Sequence, residues 1–174
     1  MSAPADSVGG SVPTPLARVQ ISLRLSGVED LDSVAPLWMK LYEHQTLNGM
    51  QVAVPPDGFA QWAKGVRPLL GRFVHVWLAE EECQPIGFLC GRERVLPGYF
   101  GGGSVGFISD VFVDESRRGL GVGRQLMAAA TEGFRARGIK RMELQVIAGN
   151  PSARRLYLEL GWHDELVQMV RILD

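Results

Sequence analysis

The stretch RRGLGVGRQLM, Arg117 to Met127, sets three glycines among three arginines ahead of an apolar, Ala-rich run. Glycine lets a backbone approach a ligand closely. A helix N-terminus offers unpaired N–H groups and the positive end of the helix dipole. Together these make an anion site, and a phosphate is its natural guest. The alternative is a solvated basic loop without a task, and the loop alone does not choose between them. Two familiar phosphate motifs fit poorly. The nucleotide-triphosphate loop ends in Gly-Lys-Ser/Thr, whereas Gly123 is followed by Arg124 and Gln125. The dinucleotide fingerprint needs a third glycine where counting from Gly119 finds Arg124.

Such a loop works only if a strand and a helix hold it. VGFISDVFV, ending at Val113, reads as the strand before it, and an apolar stripe of Leu126, Ala130 and Phe134 marks the helix after it, to about Arg137, with Gly138 as its stop. RMELQVI is the next strand. Asn150 then stands as an N-cap with Pro151 at the first helical position, and that helix ends at Gly161. Upstream, RVQISLRL alternates as a first strand over 18–25, and Ser26 with Glu29 has the spacing of a capping box before a helix to about His44. GFAQWAKGVRPLL predicts a second helix. RFVHVWLAEE and IGFLCGRERV predict two strands joined by a polar turn containing Pro85, LPGYFGGGS a flexible loop, and 162–173 a final strand or hairpin. The order is strand, two helices, three strands, helix, strand, helix, strand. The strand–helix–strand unit over 107–147 requires a parallel pair with a right-handed crossover, so an α/β fold with a mixed sheet follows.

Arg118-x-x-Gly121-x-Gly123 resembles the cofactor motif of the GNAT superfamily of acyl-CoA-dependent N-acyltransferases, Gln/Arg-x-x-Gly-x-Gly/Ala between a strand and a helix. NPSARRLYLELGW is similar to a second family motif, with Asn150, Ala153, Tyr157, Gly161 and Trp162 at its spacing. The resemblance covers the chain from about Arg18 to its end. It implies a central, mostly antiparallel sheet with one splayed parallel pair, flanked by about four helices. It implies acetyl-CoA as cosubstrate, with the pyrophosphate on the backbone of Gly119, Leu120, Gly121, Val122 and Gly123, and with Arg118 and Arg124 adding charge-assisted hydrogen bonds. Arg117 reads as a solvated neighbour. The resemblance further implies that the backbone of Val111, Phe112 and Val113 receives the pantetheine arm as an added strand would, and that Asn150 holds the arm.

Acyl transfer from a thioester to an amine needs a neutral amine, donors for an oxyanion, and help for the departing thiolate. Tyr157 lies two turns after Asn150 on nearly the same helical face, about 10 Å along the axis. Its spacing alone suits a core tyrosine packed with Ala153, Leu156 and Leu160; the family match makes it the general acid, a phenol of pKa about 10 beside a thiol of about 8.5. The oxyanion donor is expected as a backbone N–H near Val111 or Phe112, where the family strand bulges. Asp110 and Glu143 are the candidate bases, each equally readable as a solvated strand residue. His44 and His75 read as structural, and Cys90 lacks a histidine to activate it as a nucleophile. Trp38, Tyr42, Glu43, His44 and Trp62 are candidate acceptor-side residues, though helical periodicity puts Trp38 and Tyr42 mostly in the core. The acidic runs at 29–30 and 80–82 hint at a cationic acceptor.

Composition bounds the rest. The 174 residues are 46% hydrophobic and 21% charged, with a net charge of −1. Nothing global draws the chain to nucleic acid or an anionic membrane, and no apolar run approaches the roughly 20 residues of a membrane span. Residues 1–15, rich in Ser, Pro, Gly and Ala, read as a disordered tail without signal-peptide features, and 16–174 as one N-acyltransferase domain. Cys83 and Cys90 make neither a disulfide framework nor a metal site and read as buried, reduced thiols of a cytoplasmic protein. The sum is a metal-independent N-acetyltransferase, monomer or homodimer, with a small-molecule or peptide amine as acceptor. The alternative is a catalytically inactive acyl-CoA-binding sensor or interaction domain.

Overall fold

The computed structural model of the chain describes residues 20–173; the tail expected over 1–15 lies outside them. Five strands pair in sequence order: β1 (Ile21–Leu25), β2 (Val74–Glu81), β3 (Gln84–Val95), β4 (Ser104–Val113) and β5 (Met142–Leu144). The first four are antiparallel, and β5 runs parallel to β4. Helices α1 (Ala35–Leu47) and α2 (Gly58–Val66) cover one face. Helices α3 (Val122–Ala136) and α4 (Pro151–Glu159) cover the other. This is the mixed sheet with one parallel pair that the sequence implied.

β2 is buried on both faces, so it reads as a continuous apolar run rather than an alternation. Val74, Val76 and Leu78 meet Leu31, Trp38 and Leu41 on one side. Trp77 and Ala79 meet Leu126, Ala130 and Phe134 on the other, the stripe expected of α3. That helix crosses the sheet closely because Gly91 and Gly106 lie beneath Phe134: a Cβ on either would come within 2.8 Å of the ring.

Several boundaries differ from the periodicity. The first helix is split into a 3₁₀ segment, Val28–Val34, and α1, because Pro36 suits a first α-helical turn. Its cap is not Ser26 but Gly27, whose N–H donates to Asp30 at 2.7 Å. The β2–β3 turn is carried by Glu82 and Cys83, both at positive φ (49° and 63°). Pro85 lies inside β3, at an irregularity where Glu80 pairs with it and Ala79 with Gly87, a place where a missing N–H is tolerated. Cys83, expected to be buried, is exposed by that turn, whereas Cys90 is buried. β5 keeps three of its expected seven residues, and no strand forms over 162–173.

Candidate active site

β4 and β5 pair only between Gly106–Ile108 and Met142–Leu144. Cys90 pairs with Asp110 and Gly91 with Ile108, so Ser109 is an extra residue on β4. Such a bulge bends its strand. Beyond it, the β5-facing edge of residues 109–113 has no strand partner among the described residues. The bulge was expected near Val111 or Phe112 and lies two residues earlier. A cleft of about 510 Å³ opens between the diverging strands, within the range of small-molecule sites. It runs from the C-terminal half of α1, at His44 and Gln45, to the glycine loop.

At the loop, a 3₁₀ turn (Glu115–Arg117) leads through extended Arg118 into Gly119 and Gly121, at φ +80° and +79°. Left-handed backbone favours glycine there. A Cβ on either would meet nothing within 4 Å, so the space beside them is open. Gly121 caps α3 without a side-chain hydrogen bond, and the first helical bond runs from the Gln125 N–H to the Gly121 carbonyl. The amides of Val122, Gly123 and Arg124 therefore point from the helix end unpaired. Gly123 has a second duty: a Cβ there would meet Leu156 at 3.4 Å, so it also lets α4 close on α3.

The arginines are differently engaged. Arg117 donates to Glu81 at 2.5 Å. Arg118 donates weakly to the Val113 carbonyl and Glu115, both at 3.3 Å, and lines the cleft. Arg124 pairs with Glu159 of α4. Leu120 turns outward and is 52% exposed, so only its backbone belongs to the loop.

Asp110 is 2% exposed yet borders the cleft. It accepts from Ser109 Oγ at 2.6 Å and from Tyr42 Oη at 3.1 Å. Burial raises its pKa above the ordinary carboxylate value, against the pull of those donors. Burial also pushes the Cys90 thiol behind it up to about 12, so Cys90 stays protonated and unsuited to nucleophilic attack.

On α4, the Asn150 side-chain carbonyl accepts from the Ala153 N–H at 3.0 Å, as an N-cap should, which leaves its amide NH₂ at the cleft. Tyr157 lines the same wall and packs on Trp162, ring centroids 6.3 Å apart. Burial pushes its pKa up to about 12.

Tyr157, Asp110, Asn150 and the loop thus meet at one cleft. Glu143 does not: it faces Arg141, Nε to Oε1 2.7 Å, and takes no part in the lining. Three residues of the acidic runs are also paired elsewhere, Asp30 and Glu80 with Arg24 and Glu81 with Arg117. Residue types alone did not single out Ser109, Gln45 or the Leu144–Ile147 wall. Ser109-Asp110 interrupting an apolar strand was the available signal for the first.

The model of the acetyltransferase (GNAT) family matches residues 35–162. The chain belongs to the GNAT family. The matched span runs from α1 to Trp162 and holds the loop, Asn150 and Tyr157. Among curated relatives, a mycothiol acetyltransferase of Amycolatopsis mediterranei is 37% identical over 98 residues, which is 55% of this chain and 33% of that one. An N-acetyltransferase of Bacillus subtilis, YycN, is 37% identical over 67 residues, 38% of this chain and 43% of that one. This GNAT chain therefore spans less than half the length of either. Among solved structures, a tetramutant of the BH1408 protein of Bacillus halodurans is 26% identical with a TM-score of 0.73, covering 87% of this chain and 99% of that one. The aminoglycoside N-acetyltransferase AAC(6')-Iy in complex with CoA shares the fold, with a TM-score of 0.72 at 20% identity, covering 92% and 98%. The family is one of acetyltransferases. Among the described residues no helix is long and apolar enough to cross a membrane, and no cluster of three or more acidic, His or Cys side chains could hold a metal ion.

Proposed function

We propose that this GNAT domain moves an acetyl group from acetyl-CoA to a primary amine by direct attack in a ternary complex. One observation carries the reading. The unpaired β4 edge leads from the open N-terminus of α3 to a point where a buried carboxylate, Asp110, and a half-buried phenol, Tyr157, border one cleft.

The residues fit the cosubstrate. Unpaired amides at 122–124, the open space beside Gly119 and Gly121, and the Arg118 guanidinium suit a pyrophosphate. Residues 109–113 offer backbone donors and acceptors to an extended amide-bearing arm, as a sheet edge offers them to a strand, and Asn150 adds its side-chain NH₂. The acetyl-CoA thioester supplies the activated acetyl group.

Asp110 takes the amine proton, directly or through water, as the amine nitrogen attacks the thioester carbonyl. A backbone N–H at Val111 or Phe112 donates to the oxyanion. The C–S bond then breaks, and Tyr157 donates a hydrogen bond to the thiolate. Its pKa of about 12 exceeds the roughly 8.5 of a thiol, so the phenolic proton is shared with sulfur rather than surrendered to it. The amine enters past His44 and Gln45, which border the cleft beside Ser109.

The test is a panel of small amines and peptides with acetyl-CoA, followed by free-thiol release and product mass. Amine-dependent release with an acetylated product is expected. Tight acetyl-CoA binding without release on any amine would replace the enzyme with an acyl-CoA sensor.

A further inference from the structure

On β3 the side chains of Phe88 and Cys90 face α1 and α2 within the core. Strand alternation puts Arg92 and Arg94 next along that face. Arg92 sits opposite Phe107 of β4, and Arg94 opposite Val105. The Arg94 guanidinium lies over the Phe107 ring, 3.3 Å from its centroid. Arg92 is half-buried, and its Nε is buried without a hydrogen-bond partner. A guanidinium carries donors only, and a buried donor left unmade costs stability. The carboxylates nearest in pairing and sequence are engaged elsewhere. Glu93 points to the other face, toward His75 and Arg137. Glu143, which pairs with Phe107 across the sheet, accepts from Arg141 at 2.7 Å. Among the described residues neither guanidinium has an ion-pair partner. Burial lowers the Arg94 pKa and the neighbouring Arg92 charge lowers it further, against Glu143. Two like charges held together in this way attract an anion.

The pair stands beside the reaction centre and away from the cosubstrate phosphates. Cys90 pairs with Asp110 across the same two strands, so Arg92 lies roughly 7 Å further along β3. Burial raises the pKa of both Asp110 and Tyr42, and the Arg92 charge opposes the rise in each. The glycine loop lies beyond Val113, whereas Phe107 and Val105 precede the bulge at Ser109, about 20 Å or more back along β4. We infer that Arg92 and Arg94 bind a carboxylate of the acceptor, so that the substrate is a small molecule carrying both an amine, which meets Asp110, and a carboxylate. The inference rests on the acetyl-transfer reading above and gives its acceptor a chemical class. Arginine suits the task because its planar fork grips a carboxylate through two hydrogen bonds, and stacking on Phe107 holds the outer fork in place. The cationic acceptor hinted at by the acidic runs gives way to this one, since Asp30, Glu80 and Glu81 are already paired with arginines of the chain.

The test compares amino acids with their own carboxamides, which lack the anionic group. The probes are the α-amino acids, β-alanine and 4-aminobutyrate, each beside its amide, with acetyl-CoA as donor. The amide's amine is the less basic of each pair and more often neutral, so a preference for the acid cannot come from amine basicity. For the best acceptor, kcat/KM for the acid should exceed that for its amide about 10- to 150-fold, the worth of a charge-assisted hydrogen bond. Arg92→Gln should bring that ratio near one, and Arg92→Lys should restore part of it. Arg94→Gln, at an exposed position, should lower the ratio without disturbing the fold. CoA binding by each variant reports that the fold is kept. Carboxamides or plain amines turned over at least as fast as acids overturn the proposal and leave acetyl transfer standing. So does a ratio unmoved in both Gln variants. If no amine releases thiol, calorimetry on the CoA-saturated protein decides. An acid that binds where its amide does not, and more weakly to the Gln variants, supports the site without the reaction; equal or absent binding overturns it.

Discussion

Tyr157→Phe isolates one hydroxyl. The ring stays, so its packing on Trp162 and beneath α4 is retained and the protein should keep its melting temperature. What is lost is a hydrogen bond to a developing thiolate. With the phenol's pKa pushed up to about 12, full proton transfer to a thiolate of about 8.5 is uphill, so the loss is that of a hydrogen bond to a charged group, roughly 1.5–3 kcal/mol. That corresponds to about a 10- to 150-fold fall in kcat, at the lower end of general acid catalysis. Acetyl-CoA affinity should barely move, because the bond strengthens only as charge develops. A donor whose thiol is more acidic should recover part of the loss, since its thiolate needs less help. The assay is steady-state thiol release with a good acceptor, paired with calorimetric acetyl-CoA binding. An unchanged kcat would refute the role. A joint loss of binding and thermal stability would make Tyr157 a packing residue only.

Asp110→Asn should remove amine-dependent turnover while sparing CoA binding, and the wild-type rate should rise with pH through a pKa above the ordinary carboxylate range. Because that folded-state pKa is raised, the ionised carboxylate costs stability once pH exceeds its unfolded value, so the Asn variant should melt higher than wild type at neutral pH; a lower melting point contradicts this. Arg118→Ala should weaken CoA about 10- to 150-fold, the worth of a charge-assisted hydrogen bond, yet leave pantetheine binding unchanged; equal losses on titration would indicate damaged packing instead. His75 is 1% exposed, and burial, then Arg137, lowers its pKa despite Glu93. Its neutral form is therefore favoured in the fold, and stability present above the unfolded value near 6.5 should fall as pH drops below it. Chemical melts of His75→Gln should show a shallower loss between neutral and mildly acidic pH, and an identical slope would exclude His75 as the cause.

Residue periodicity made the sheet and α3 legible, because β2, β3 and β4 carry buried apolar runs and α3 a single buried apolar stripe. Asn150-Pro151 marked the start of α4 through local chemistry that needs no tertiary context. What failed depended on partners. RMELQVI has strand character throughout, but β4 bends away after Ser109, so pairing stops at Leu144. The apolar 162–173 segment likewise reads as a strand, yet a strand exists only beside another. Asp110 and Glu143 looked equivalent as carboxylates on neighbouring strands. Tyr42, 68 residues away in sequence, and the bulge set Asp110 at the cleft, and neither is visible in local pattern. The acidic run at 80–82 misled because the partners of Glu80 and Glu81, Arg24 and Arg117, are distant in sequence.

Amide hydrogen exchange with and without CoA tests the central claim most directly, since it reads the backbone groups that the account assigns to the ligand. The unpaired edge at 109–113 and the helix-end amides at 119–124 should gain protection on saturation with CoA, while α2 and the 162–173 segment should not change. Binding of CoA without protection at either the β4 edge or the α3 N-terminus would contradict the assignment of this cleft.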